Sequence, residues 1–310
     1  MNRKAIILLA LITGGLNLMA QRVGSSPEYI KALTVNWEGE RFTDGRPKVS
    51  DALLERLKAL SMEEVWGVLQ NKGFKNQYES DWHIIRPGQV MVGRVVTAQY
   101  MPSRPDFEAQ VKEQGKIEGR AQAGGTNSWP IDVLVPGDVY VADGFGKIVD
   151  ATLIGDNLAN AIYANSQNGV IFNGSVRDEQ GILEVEGFNG WIKGSDPSYI
   201  KDMMLTSINA PIRIGRAIVL PGDVVLANNF GVIFIPAYLL EDLVITSEIT
   251  GLRDEFGHQR LKEGKYLPGQ IDSKWSEEIK ADFLQWLSSY PGKLPMTKEE
   301  LDNYLKERNY

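Results

Sequence analysis

The chain has 310 residues, with 33 Lys and Arg against 40 Asp and Glu, two His and no Cys. Without Cys there is no disulfide framework, no thiolate nucleophile, no Cys-ligated zinc and no iron–sulfur cluster, and His83 and His258 are too few and too far apart for a three-His metal site. A net charge of −7 argues against nucleic acid as the main partner, because phosphate binding needs a basic surface; any metal is expected to be a hard ion held by oxygen.

Arg3 and Lys4 precede an uncharged apolar run over residues 5–12, and Leu18-Met19-Ala20 before Gln21 has the form of a signal-peptidase site. The run is shorter than the roughly 20 residues needed to span a bilayer, and Gly14-Gly15 and Asn17 break it. A signal cut after Ala20 is therefore expected rather than an anchor, giving a periplasmic or secreted product with no stable membrane insertion. Removing Arg3 and Lys4 takes the formal charge from −7 to −9.

Residues 21–48 read as an irregular polar lead-in. Ser50 or Asp51 caps a helix that follows, and Ser61 with Glu64 forms a capping box for a second over 61–69. Strand character begins near Ile84: Arg86-Pro87-Gly88-Gln89 is a turn, and 90–97 is rich in β-branched residues. Residues 101–130 are polar and long for a structureless loop, hence functional or mobile. Residues 131–135 and 139–142 read as strands on either side of Pro136-Gly137-Asp138. A similar turn and strand recur at Pro221-Gly222-Asp223 and 224–227, an echo that fits a common local solution better than a duplication.

The segment 150–178 is the most informative. Gly155-Asp156 opens a helix over 157–164, closed by Asn168-Gly169; 170–172 is a short buried strand; Asn173-Gly174 turns into Arg177-Asp178. Free N–H groups at a helix start suit a carboxylate or phosphate, and Gly155 allows close approach. Arg177 offers a planar fork for an acid group, and Asp178 an oxygen for a divalent ion. Either loop alone reads as an ordinary cap or ion pair. Together they flank one helix and can converge on one ligand. Further on, a strand over 232–235 ends at Pro236, a helix starts at Leu239, and a charged helical tail follows from about 250. It has helices over 277–287 and from Thr297, whose box partner is Glu300. Trp275 and Trp286 sit at helical positions and read as packing residues rather than a sugar platform.

Five segments carry a family resemblance: Val49-Ser50-Asp51-Ala52-Leu53, Met91-Val92-Gly93-Arg94-Val95-Val96-Thr97, Gly155-Asp156-Asn157-Leu158-Ala159, Gly169-Val170-Ile171-Phe172-Asn173-Gly174-Ser175-Val176-Arg177-Asp178 and Pro221-Gly222-Asp223-Val224-Val225-Leu226-Ala227. In these, over residues 41–245, the chain resembles the RraA-like family, which comprises the regulator of ribonuclease E activity and the class II 4-hydroxy-4-methyl-2-oxoglutarate aldolases. The resemblance implies a compact layered α/β sandwich of the swivelling-domain type. Here it would span 49–248, with an insertion at about 101–130 and a helical extension over 249–310. It also implies a homotrimer or hexamer with sites between subunits.

In the aldolase branch, the resemblance implies that Gly155, Asp156, Asn157 and Leu158 bind the pyruvoyl end of a 2-oxo acid. Arg177 would contact that substrate, and Asp178 would hold Mg²⁺ or Mn²⁺. The implied reaction is retro-aldol cleavage of a 4-hydroxy-2-oxo diacid, or oxaloacetate decarboxylation, through a metal-stabilised pyruvate enolate. Arg177 would add positive charge and Asp156 would orient a metal-bound water. Two alternatives stay open: a carbohydrate or sugar-acid enzyme on the same scaffold, and a non-catalytic regulatory binding protein, which an export signal disfavours. Asn228-Asn229 departs from the family's frequent acidic residues. The acidic residue that a neighbouring subunit contributes in some aldolases has candidates in Glu184, Glu186 and Asp196.

Overall fold

The computed structural model describes residues 22–308, so the expected signal segment lies outside the described residues. α1 (Pro27–Leu33) starts where the Ser26 hydroxyl accepts the Tyr29 N–H, so part of the expected lead-in is helical. α2 (Asp51–Lys58) and α3 (Met62–Asn71) begin at the Ser residues the sequence points to. Ser50 caps the Leu53 N–H, and Ser61 and Glu64 satisfy each other's backbone N–H groups.

The strands β1 (Tyr78–Glu79) and β2 (His83–Ile84) precede the 12-residue β3 (Met91–Pro102). The inserted stretch is not a loop: it carries α4 (Pro105–Ile117), with Pro at its first turn. Trp129 folds back onto this helix at Gly115, where an added Cβ would lie 2.2 Å from the indole.

Next come β4 (Asp138–Asp143), α5 (Asp156–Ser166), β5 (Val170–Asn173), β6 (Ser175–Val176), α6 (Glu179–Glu184), β7 (Gly190–Ile192) and β8 (Gly194–Ser195). They are followed by β9 (Met203–Ile208), β10 (Ile212–Ile214), β11 (Ala217–Val219), β12 (Val224–Asn228) and β13 (Gly231–Ile235). The helices α7 (Leu240–Lys262), α8 (Pro268–Ile271), α9 (Glu277–Ser288) and α10 (Lys298–Glu307) end the described chain. No helix among the described residues is long and apolar enough to cross a membrane.

One mixed sheet organises the molecule, in the order β1-β13-β12-β3-β4-β5-β7-β2, with β9 also on β3. β3, β4, β5 and β7 run parallel. Every residue of β4 is buried, as expected of a parallel strand covered on both faces. Alternation sorts the two faces. Val96, Tyr140 and Phe172 pack with α5 and the insertion, while Val95, Val141 and Ile171 pack with the β10–β11 hairpin. In such sheets ligands bind beyond the carboxyl ends of the strands, so the loops that leave β4 and β5 are the ones to inspect.

Residues 131–135, expected as a strand, form instead a single 3₁₀ turn at Ile131–Val133. The Ile131 carbonyl accepts from the Leu134 N–H at 3.2 Å and the Asn165 side chain at 2.9 Å, so its hydrogen bonds close without a sheet partner. The two Pro-Gly-Asp turns are alike in detail: Gly137 and Gly222 both have φ +86°, a conformation that suits Gly. Asp138 accepts the Val135 N–H at 3.0 Å and Asp223 the Leu220 N–H at 2.8 Å. Yet β4 runs parallel to β3 and β12 antiparallel, so the likeness is local. Asp138 is clamped by Arg46 at 3.0 and 2.9 Å. Asp223 is buried with no ion pair among the described residues, and burial pushes its carboxyl up to about 7.

The tail packs through Phe256, Trp275, Phe283 and Trp286, so both tail tryptophans serve as core. α7 runs unbroken through residues 248–249. Arg56 of α2 joins the tail to the sheet domain: its guanidinium donates to Glu248 of α7 at 2.9 and 2.6 Å and to Glu300 of α10 at 2.7 Å.

Candidate functional site

After β4 the chain turns back and runs beside β6. The Leu153 N–H donates to the Ser175 carbonyl and the Arg177 N–H to the Ile154 carbonyl, each at 2.9 Å. This short pairing sets Gly155 directly against Arg177-Asp178. A Cβ at Gly155 would stand 2.7 Å from Asp178 Oδ2 and 3.2 Å from Arg177 Cγ and Cζ. Its backbone, φ −118° and ψ −167°, is ordinary extended chain. Glycine is required here by close approach and not by strain. It also leaves the start of α5 without a side-chain cap from the preceding residue.

Asp156 and Asp178 each head a helix. Asp156 Oδ1 accepts the Asn157 N–H at 2.8 Å. Its side chain rests on Gly181 of α6, where an added Cβ would be 2.8 Å from Asp156 Cβ. Asp178 has φ 55° and ψ 40°, a left-handed conformation that Asp tolerates better than most residues. Its Oδ2 takes Arg177 Nη1 at 2.8 Å, and the two side chains are 41% and 42% exposed. Gly155, Asp156, Arg177 and Asp178 are therefore brought together. Asn157 and Leu158 join Gly155 and Arg177 in lining a cleft of about 100 Å³.

Beside this pair lies a cluster that sequence reasoning missed. Glu179 accepts from the Ser195 hydroxyl and contacts His83 Nε2 at 2.7 Å. Burial alone would raise the Glu179 carboxyl; its bonds to Ser195 and His83 outweigh that and hold it below the ordinary range. His83 lies 96 positions away in sequence, and only the β2–β7 pairing delivers it. The available signal was Glu179 itself, directly after Arg177-Asp178.

Of the other candidates, Glu184 and Glu186 are exposed at the end of α6, and Asp196 is held by the Ser198 N–H and hydroxyl. Asn228 and Asn229 build the β12–β13 turn, accepting the Phe230 N–H at 2.9 Å and the Gly88 N–H at 2.7 Å.

Among the described residues no group of three or more His, Asp or Glu side chains converges as a metal cage. The donors near the loop are carboxylate oxygens, and Asp178 keeps its carboxylate open to solvent beside Arg177. Mg²⁺ and Mn²⁺ suit such a site, since Mg²⁺ usually retains several waters and takes only one or two protein carboxylates. The residues present therefore fit a partly hydrated hard ion and do not form the closed cage of a structural zinc.

Fold and site together define an α/β protein whose loops beyond the carboxyl ends of parallel strands bring together a guanidinium, a carboxylate and a helix start capped only by its own Asp156. The RraA-like family model, described as Aldolase/RraA, matches residues 46–234, and the chain belongs to that family. A Hahella chejuensis protein with the inferred name 4-hydroxy-4-methyl-2-oxoglutarate aldolase is 35% identical over 100 residues, 32% of this chain and 60% of that protein. A Stutzerimonas stutzeri protein of the same inferred name is 32% identical over 106 residues, 34% of this chain and 64% of its own length. The chain thus spans less than two thirds of these relatives. The crystal structure of Streptomyces coelicolor RraAS2, titled an unusual member of the RNase ES inhibitor RraA family, superposes with a TM-score of 0.59 at 23% identity. It covers 69% of this chain and 100% of that one, and this likeness shows the fold.

Proposed function

We propose that the protein is a divalent-metal-dependent carbon–carbon lyase that releases pyruvate from a 2-oxo acid, by retro-aldol cleavage or by decarboxylation of oxaloacetate. One observation carries the reading: Gly155 is pressed against the Arg177-Asp178 pair, so the start of α5, a guanidinium and a carboxylate stand side by side at the edge of one small cleft that Gly155 and Arg177 line. The inferred names of the curated relatives support the same reaction class.

The α5 amides and Arg177 bind and orient the acid end. Arg177 also places positive charge where negative charge grows on the substrate as its bond breaks. Asp178 would hold Mg²⁺ or Mn²⁺, which when bound supplies Lewis-acid charge to that same oxygen. In retro-aldol cleavage the C4 hydroxyl loses its proton, the C3–C4 bond opens, and C3 gains a proton. Asp156, half-buried at the head of α5, would orient the water that relays it. Export to the periplasm or medium and assembly as a homotrimer or hexamer belong to the same proposal.

The test is pyruvate release from oxaloacetate and from 4-hydroxy-2-oxo acids, before and after metal removal and with Mg²⁺ or Mn²⁺ restored. Activity should vanish on chelation and return with either ion. Asp178→Ala should lose it by about 10²-fold or more while keeping its melting temperature. A fully active Asp178→Ala protein would remove the metal assignment.

A further inference from the structure

Asp178 and Glu179 are consecutive carboxylates with different partners. Asp178 Oδ2 takes Arg177 Nη1 at 2.8 Å and stands 2.7 Å from where a Cβ on Gly155 would lie. Glu179 is bound instead to β2 and β8: one oxygen meets His83 Nε2 at 2.7 Å and the other takes the Ser195 hydroxyl. An ionised carboxylate only accepts, so the Nε2 proton of His83 and the hydroxyl proton of Ser195 both point at it. The neighbouring residues thus divide the work. One carboxylate faces the start of α5, and the other is committed to the strands.

What this clamp holds is an uncommon turn. Asp178 has φ 55° and ψ 40°, a conformation that a residue other than glycine keeps only where its surroundings fix it from several directions. The backbone supplies two ties: the Arg177 N–H donates to the Ile154 carbonyl at 2.9 Å and the Ile182 N–H to the Asp178 carbonyl at 3.0 Å. The side chain of Glu179 adds a third. Its donors stand on strands whose register is already set, since Ser195 pairs with Val176 and His83 with Ile192. They lie 16 and 96 positions away in sequence, so the turn is fastened to parts of the fold that its own backbone bonds do not reach.

Resting on the assignment of a hard ion to Asp178, we propose that Glu179 is a positioning residue for that carboxylate. Clamped by His83 and Ser195, it fixes the 177–179 turn and keeps Asp178 against Gly155, where an ion and the start of α5 can share one ligand. Groups that orient a metal-binding side chain change metal affinity by about 10–100-fold when removed. The clamp adds little to global stability, because His83 and Glu179 are 49% and 27% exposed.

The experiment measures Mn²⁺ binding by electron paramagnetic resonance, which reads the free ion, with thermal unfolding on the same samples and kcat/KM for pyruvate release from oxaloacetate. Glu179→Ala should weaken Mn²⁺ binding by about 10-fold or more at a near-native melting temperature. Glu179→Gln should stay close to wild type, since its amide still accepts from His83 and donates to the Ser195 oxygen. The double variant Ser195→Ala with His83→Phe removes both donors, leaves Glu179 in place and should match Glu179→Ala; it repeats the test should Glu179→Ala fail to fold. Wild-type Mn²⁺ affinity in folded Glu179→Ala or in the double variant overturns the proposal, as does a Glu179→Gln protein as weak as Glu179→Ala. Loss of Mn²⁺ binding in Asp178→Ala beside unchanged binding in Glu179→Ala would overturn the positioning role and leave the metal assignment standing. A wild-type protein that binds no Mn²⁺ removes both.

Discussion

Adding one carbon at Gly155 separates the site from the fold. In Gly155→Ala the new Cβ would sit 2.7 Å from Asp178 Oδ2 and 3.2 Å from two Arg177 carbons. Ordinary contact begins at 3.4 Å, so the carboxylate must retreat by about 0.7 Å, on the order of the 1 Å displacement that costs about 10²-fold in rate. The backbone at Gly155 is open to alanine, and the displaced pair is two-fifths exposed and free to swing outward. Breaking an ion pair of that kind removes at most about 1 kcal/mol of stability. We expect kcat/KM for pyruvate release to fall about 10- to 100-fold, with a near-native melting temperature and a higher Mg²⁺ requirement. Steady-state kinetics across a Mg²⁺ series, with thermal unfolding on the same samples, decides it. Native kcat/KM in a folded Gly155→Ala protein would refute the idea that the α5 start and Asp178 act on one ligand.

Asp223 supplies a pH prediction. Its folded value of about 7 lies above the ordinary 3.8, so its contribution to stability is complete below pH about 4 and is lost as pH rises through about 7, a difference of about 4 kcal/mol. Asp223→Asn should remove that slope from denaturant unfolding measured at intervals across this range; an identical slope in the variant would contradict it. Arg46 and Asp138 are 1% and 0% exposed, so Arg46→Met removes the two hydrogen-bonded contacts and leaves the buried carboxylate only one cation among the described residues, Arg94 at 3.8 Å; it should cost about 3 kcal/mol. An unchanged urea midpoint would show that Asp138 finds other relief.

What could be read from the sequence was what neighbouring residues settle among themselves. Ser50, Ser61 and Thr297 mark their helices because a cap involves residues three apart. The β-branched run of β3 and the Arg177-Asp178 loop were visible for similar reasons. Where partners come from afar, the reading failed. Residues 131–135 look like a strand, but Asn165 of α5 takes the Ile131 carbonyl and Trp129 is drawn down onto Gly115. Gly169 looks like the helix terminator, yet Gln167 takes the left-handed position with φ 53°. Gly169 is needed because a Cβ there would meet the Asn189 carbonyl at 1.8 Å. His83 looked isolated because its partner, Glu179, reaches it only through the sheet. The cleft itself was equally hidden, since its lining joins residues 127, 153, 158 and 199.

The Arg56 guanidinium has a consequence for the order in which the molecule is completed. Its two acceptors follow it by 192 and 244 residues, so at about 5–20 residues per second of synthesis the side chain waits for tens of seconds at the slower rates. The sheet can form during that interval, because β13 ends at Ile235. Glu248 arrives first and closes half of the fork; Glu300 arrives only when α10 is made. A chain stopped short of residue 298 would carry every candidate site residue yet leave the α10 seat open. Synthesis as far as α10 is thereby registered at a single side chain near the start of the fold, far in sequence from the loops that would meet a ligand.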